Sequence, residues 1–195
     1  MSTPTLSDRK ILIVVTNYGV ERDEIQVPLQ RLQQAGASVT VAAPSAGEVQ
    51  SLVGDKDPGP VLTADTSLAD VVPDDYDALV VPGGTINADA LRIDPHAQHI
   101  IQAFARASRP VAAICHAPWL LVSSGLASGK RLTSWKSLAD DLRNSGAEWT
   151  DEPLVRDTTG GWTLITSRFP GDLAQFVDAI EDELSGAGRS VSQLS

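Results

Sequence analysis

Three short runs, Lys10–Thr16, Asp77–Pro82 and Pro110–Ile114, are filled with Val, Ile, Leu and Ala and hold hardly a polar residue inside them. Such runs mark strands buried on both faces, and strands of that kind belong to a parallel sheet clad by helices on either side. The stretches between them supply the cladding. From Glu21 to Ala35 the apolar positions Ile25, Leu29 and Leu32 recur at helical spacing, and Gly36 provides a stop. Ser38–Ala43 returns to strand character and ends at Pro44, so the first 44 residues read as one βαβ unit. Further helices are predicted over Ala88–Ala107 with a break at Asp94–Pro95, and over Pro118–Ser124, Ser137–Asn144 and Asp172–Leu184. Glu48–Pro73, interrupted by Gly54, Pro58, Gly59 and Pro60, reads as a hairpin excursion. Leu154–Arg156 and Trp162–Ser167 flank a second hairpin signature at Thr158–Gly161. The predicted organisation is an N-terminal arm over residues 1–9, one α/β domain over 10–184 and a flexible Ser/Gly-rich tail over Ser185–Ser195.

Composition narrows the function more than the fold. Fifteen basic residues against twenty-five acidic ones leave a formal charge of −10, which opposes binding to phosphate backbones and anionic membrane surfaces. No apolar run approaches the roughly 18 residues of a membrane span, and the opening Met1-Ser2-Thr3-Pro4 is unlike a signal peptide, so a cytoplasmic protein is expected. Cys115 is the single cysteine, which rules out an intrachain disulfide and a thiolate zinc cluster within one chain.

Each of the three buried strands leads into something a core does not require. Thr16 leads to Glu21 and Glu24, Pro82 to Gly83-Gly84, and Ile114 to Cys115-His116. In a parallel sheet these three motifs share one edge, the edge at which open α/β sheets bind ligands. Cys115 lies between a strand and a helix opened by Pro118, the logic of a nucleophile elbow, and a helix N-terminus there favours the thiolate. The competing reading is a small, inert core cysteine. Glu21 and Glu24, three apart on the first turn of a predicted helix, either complement its dipole or place a protonated carboxyl beside the sulfur. Gly83-Gly84 is either a simple tight turn or a stretch of open backbone N–H groups facing an oxyanion. His116 is a candidate acid or base, although sequence neighbours rarely meet side chain to side chain unless the turn between them is unusual. His96 and His99 are read as a solvated face, and Trp119 and Trp135 as candidate pocket walls.

Ala113–Leu121, with Pro82-Gly83-Gly84 upstream and Glu24 four residues before Pro28, resembles the PfpI/ThiJ superfamily of protease-like, general-stress and deglycase proteins. Thr133-Ser134-Trp135, Asp140-Asp141-Leu142, Gly146–Trp149 and Ser167–Leu173 also look like that family's later blocks, and Gly83–Asn87 through Asp89, Leu91 and Arg92 is similar to its general-stress branch. The resemblance implies a flavodoxin-like three-layer sandwich, a homodimer, no metal or organic cofactor, and Cys115 as the reactive residue touched by a protonated Glu24. It further implies an oxyanion hole from the N–H groups of Gly84 and His116, His116 as the base, and Glu21 as a second acidic position. Protease-like members place a neighbouring subunit's glutamate at the position of Ala88, which leaves Asp89 as the nearest substitute; Ala117 stands where glycine is frequent. The expected function is stress protection by attack of Cys115 on reactive carbonyls or on glycated or peptide substrates. The alternatives are an oxidant-sensing cysteine without turnover and an intracellular cysteine peptidase.

Overall fold

In the computed structural model, which describes residues 6–186, strand β1 (Lys10–Val14) is covered from both sides. Successive side chains of a strand point to opposite faces, so Ile11 and Ile13 enter one core while Leu12 and Val14 enter another. After β1 come β2 (Tyr18–Glu21), α1 (Arg22–Gln34), β3 (Ser38–Ala43), β4 (Gly47–Val53), β5 (Asp57–Ala64) and the short β6 (Thr66–Ser67). Then follow β7 (Ala78–Val81), α2 (Thr85–Leu91), α3 (Pro95–Arg106), β8 (Val111–Ile114) and α4 (Pro118–Ser123). The chain closes with β9 (Arg131–Leu132), α5 (Ala139–Asn144), β10 (Glu148–Trp149), β11 (Leu154–Asp157), β12 (Leu164–Ser167) and α6 (Leu173–Ser185).

The main sheet runs β11-β12-β8-β7-β1-β3-β6 and is parallel except for the hairpin of β11 with β12. One face is covered by Ile25 and Leu32 of α1 with Phe176, Val177 and Ile180 of α6. The other is covered by Ile100, Ile101 and Phe104 of α3 with Leu120 and Leu121 of α4. The result is the α/β, flavodoxin-like three-layer arrangement. Because β1, β7 and β8 are adjacent and parallel, whatever follows their carboxyl ends gathers at one edge. A second sheet, β2-β4-β5, brings the turn at Gly54-Asp55 to that same edge.

Several boundaries move for local reasons. The first strand stops at Val14 instead of Thr16, because Thr16 turns its N–H to Asn87 Oδ1 at 2.7 Å. Glu21 is not on a helix: it ends β2, opposite Leu52 of β4, and α1 begins one residue later. Gly19, at φ +96, hides β2 from any strand pattern. Helix α2 starts three residues before the predicted Ala88, since Gly84 at φ +89 forms its N-cap. The break at Asp94-Pro95 is present: the Asp94 carboxylate accepts from the N–H groups of His96 and Ala97 at 2.8 and 3.0 Å, and Pro95 opens α3. His96 and His99 are exposed on α3. From the predicted arm, Leu6 is buried and its N–H donates to Ala35 O at 2.8 Å. The predicted tail beyond Gly186 lies outside the described residues. Among the described residues no helix is long and apolar enough to cross a membrane.

Candidate active site

Strand β8 ends at Ile114, and Cys115 then takes φ +64, a left-handed conformation that costs an L-residue roughly 1–2 kcal/mol. Three hydrogen bonds hold it there. The Cys115 N–H donates to Ser167 O at 3.0 Å, its carbonyl accepts from Trp135 N–H at 2.9 Å, and the Ala117 N–H donates to Ile114 O at 3.0 Å. The sharp strand-to-helix turn directs the sulfur into a cavity of about 440 Å³, walled by Glu21, Glu24, Asp55, Gly84, Trp135 and Phe169. The same turn folds His116 back over its neighbour, so that Nδ1 lies 3.2 Å from Cys115 Sγ. Adjacent residues meet here because the turn is the unusual one.

Glu24 enters from the first turn of α1 and is fully buried. Its Oε2 accepts from the Gly83 N–H at 2.9 Å. Oε1 is buried without a well-formed hydrogen bond, and the Cys115 thiol is the polar side chain beside the carboxyl. Burial pushes Glu24 up to about 8, against the opposing pull of Cys115 and the Gly83 N–H, so the carboxyl is neutral at pH 7. A neutral acid that accepts from Gly83 at its carbonyl Oε2 has its O–H at Oε1.

The paired glycines are a steric requirement, not merely a turn. A Cβ on Gly83 would stand 2.6 Å from Glu24 Oε2 and 2.7 Å from Cys115 Cβ, and one on Gly84 would stand 2.3 Å from Gly19 O. Their compactness lets the backbone N–H groups of Gly84 and His116 act on the sulfur, both pulling the thiol pKa down.

Opposing influences act on the expected thiolate. Burial raises the Cys115 thiol above its ordinary value, an ionised Glu24 raises it further, and the Gly84 and His116 N–H groups oppose both. A neutral Glu24 removes that repulsion and leaves burial opposed by the backbone N–H groups. His116 is lowered by burial, with the charge of Asp55 acting the other way. The Glu21 carboxyl, bonded by the Gly54 N–H at 2.8 Å, is raised by burial.

Cys115, His116, Glu24, Glu21, Gly83 and Gly84 thus come together, although Glu21 arrives from a strand. Three other candidates take different places. Asp89 is exposed on α2, and its carboxylate makes no hydrogen bond or ion pair among the described residues. Ala117 is buried under the elbow with its N–H spent on Ile114. Trp119 packs its ring 5.6 Å from that of His116 and donates Nε1–H to Asp141 Oδ2 at 2.9 Å, outside the cavity wall. Asp55, Thr85 and Phe169 also line the site; Thr85 and Phe169 fall inside segments that carry the family resemblance, whereas Asp55 has no sequence signal of its own. Gly54-Asp55 reads only as a turn, and nothing in the sequence ties that turn to the end of β7.

Residues 9–183 match the DJ-1/PfpI family. Protein/nucleic acid deglycase 2 of Escherichia coli is 36% identical over 168 residues, 86% of this chain and 93% of that protein. General stress protein 18 of Bacillus subtilis is 35% identical over 170 residues, 86% and 93% of the two chains. Among solved structures, the crystal structure of Drosophila melanogaster DJ-1beta superposes with a TM-score of 0.81 at 33% identity, covering 91% of each chain. With its fold and nearly its whole length in agreement, the chain belongs to the DJ-1/PfpI family.

Proposed function

We propose that this protein removes reactive carbonyls, free or as glycated adducts, with Cys115 as nucleophile. The observation that carries the reading is a buried sulfur at a strained elbow, opening into a cavity, with two backbone N–H groups that favour its anion. Names such as deglycase and general stress protein among its relatives support the same class of chemistry.

With methylglyoxal the reaction balances without an external oxidant. The sulfur adds to the aldehyde carbon, and the new oxyanion is stabilised by the Gly84 and His116 N–H groups. Transfer of the aldehyde hydrogen, as a proton, to the ketone carbon converts the hemithioacetal to a lactoyl thioester, and water releases lactate and the thiol. His116 takes the thiol proton, and Glu24 keeps the sulfur free of a facing negative charge. The cavity wall supplies Glu21 and Asp55 and neither Lys nor Arg, which favours neutral carbonyls over anionic ones. A net charge of −10 likewise places glycated protein ahead of nucleic acid as a macromolecular substrate. A homodimer belongs to the same proposal, supported by Tyr18 and Ile86, which are exposed side by side next to Gly19; a monomer mass in light scattering would remove it.

The test is lactate production from methylglyoxal by wild type and Cys115→Ala. The variant is expected to fall by on the order of 10³-fold or more. Equal lactate from both proteins would remove the cysteine mechanism. A wild type that makes no lactate but gains oxygen at Cys115 under mild peroxide would favour oxidant sensing instead.

A further inference from the structure

The hydrogen bonds beyond His116 determine which of its nitrogens holds the proton. Nδ1 faces Cys115 Sγ at 3.2 Å, and Nε2 faces Thr85 Oγ1 at 3.3 Å. Thr85 in turn is held twice by Asp55: its N–H donates to Oδ1 at 2.7 Å and its hydroxyl to Oδ2 at 2.6 Å. A carboxylate only accepts, so the one hydroxyl proton of Thr85 goes to Asp55. The hydroxyl oxygen then offers His116 nothing but lone pairs. Nε2 therefore carries the N–H, and Nδ1 presents its lone pair to the thiol.

We propose that Asp55 and Thr85 are positioning residues that fix His116 as the Nε2–H tautomer and so make Nδ1 the base that takes the Cys115 proton. In that step the S–H bond breaks, the proton joins Nδ1, and the electron pair stays on sulfur. The imidazolium formed keeps its Nε2–H on Thr85, with the Asp55 charge behind it. The arrangement places an acid behind the histidine within one chain, where Ala88 supplies none and Asp89 points to solvent. It comes from the β4–β5 turn, and Asp55 itself is held at φ +59. A purely structural contact tying that turn to α2 needs only the N–H of Thr85; the second carboxylate oxygen is committed to the hydroxyl. The inference rests on the reading of Cys115 as a nucleophile.

Other charges around His116 do not compete for Nε2. Glu21, Glu24, Asp55 and Cys115 are the titratable groups that share its cavity. Arg92, Lys136 and Arg168 lie over the rings of Trp119, Trp135 and Phe169 and do not line the cavity.

The readout is the rate and pH profile of Cys115 alkylation by iodoacetamide in the folded protein, which needs no carbonyl substrate. Its failure is therefore separable from failure of the carbonyl reading, which Cys115→Ala tests. Thr85→Val keeps the N–H to Asp55 and removes only the hydroxyl, and it is expected to slow alkylation at pH 7 by on the order of tenfold or more. Asp55→Asn, which turns an acceptor at Thr85 into a donor, is expected to slow it at least as much. Thr85→Ser is expected to restore the rate to within about twofold, because the hydroxyl is what matters. Nitrogen NMR of the wild type is expected to show His116 protonated at Nε2. Wild-type alkylation rates in Thr85→Val or Asp55→Asn, a Thr85→Ser variant as slow as Thr85→Val, or a His116 protonated at Nδ1 would each overturn the proposal.

Discussion

Gly84→Ala is expected to cost about 3–5 kcal/mol of stability and, in the protein that still folds, on the order of 100-fold or more in carbonyl turnover. Both losses follow from one methyl group. Gly84 sits at φ +89, and an added Cβ would meet Gly19 O at 2.3 Å and Glu21 N at 2.7 Å. Those neighbours are backbone atoms of β2, so no flexible side chain is available to swing aside. Relief requires α2 or β2 to shift, and either shift carries the Gly84 N–H away from the sulfur. Gly125→Ala provides the control. That residue has φ +71 with nothing within 4 Å of the added carbon, so only the left-handed backbone is penalised, at roughly 1–2 kcal/mol, and turnover is unchanged. Urea denaturation and lactate production on the two variants measure the difference. Equal destabilisation in both would mean that the Gly84 turn has room the geometry denies.

What could be read from the sequence, and what could not, divides along the same line between chain-local and long-range effects. The strands ending at Val14, Val81 and Ile114 are legible because burial on both faces leaves a continuous apolar run, a property of each segment alone. The shared edge is legible because parallel strands align their carboxyl ends. The Asp94-Pro95 break is equally local, resting on one cap and one ring. By contrast, β2 has Gly19 in its middle and only four residues, and its partner β4 lies about thirty positions further along the chain. Missing that strand put Glu21 on a helix. Asp55 was invisible for the same reason: a Gly-Asp turn is common chemistry, and its meaning comes from packing against Thr85 thirty residues away. The balance acting on the Cys115 proton is not legible in the sequence either, because an elbow motif records position but not burial, and burial opposes the thiolate that the backbone N–H groups favour.

The second large effect is a pH dependence that one atom exchange should abolish. Glu24 titrates near its ordinary 4.5 in an unfolded chain and at about 8 when folded. Between those values the folded state binds the extra proton, so its stability falls as pH rises and the protonated-state advantage is gone above about 8. Glu24→Gln keeps a carbonyl oxygen for the Gly83 N–H and has nothing to ionise. The stability of the variant relative to wild type is therefore expected to climb by on the order of 3–5 kcal/mol from pH 5 to pH 9. His116, lowered by burial, contributes with the opposite sign below its ordinary 6.5, and that part is common to both proteins and cancels in the difference. The same ionisation acts on reactivity. Above about pH 8 a charged Glu24 faces the nascent thiolate, so wild-type alkylation of Cys115 should rise less steeply with pH than alkylation of Glu24→Gln. Urea denaturation at pH 5, 7 and 9, paired with alkylation at the same values, reads both effects. A stability difference that stays flat across this range would mean that Glu24 is already ionised in the folded protein, and a neutral acid beside the sulfur would have to be abandoned.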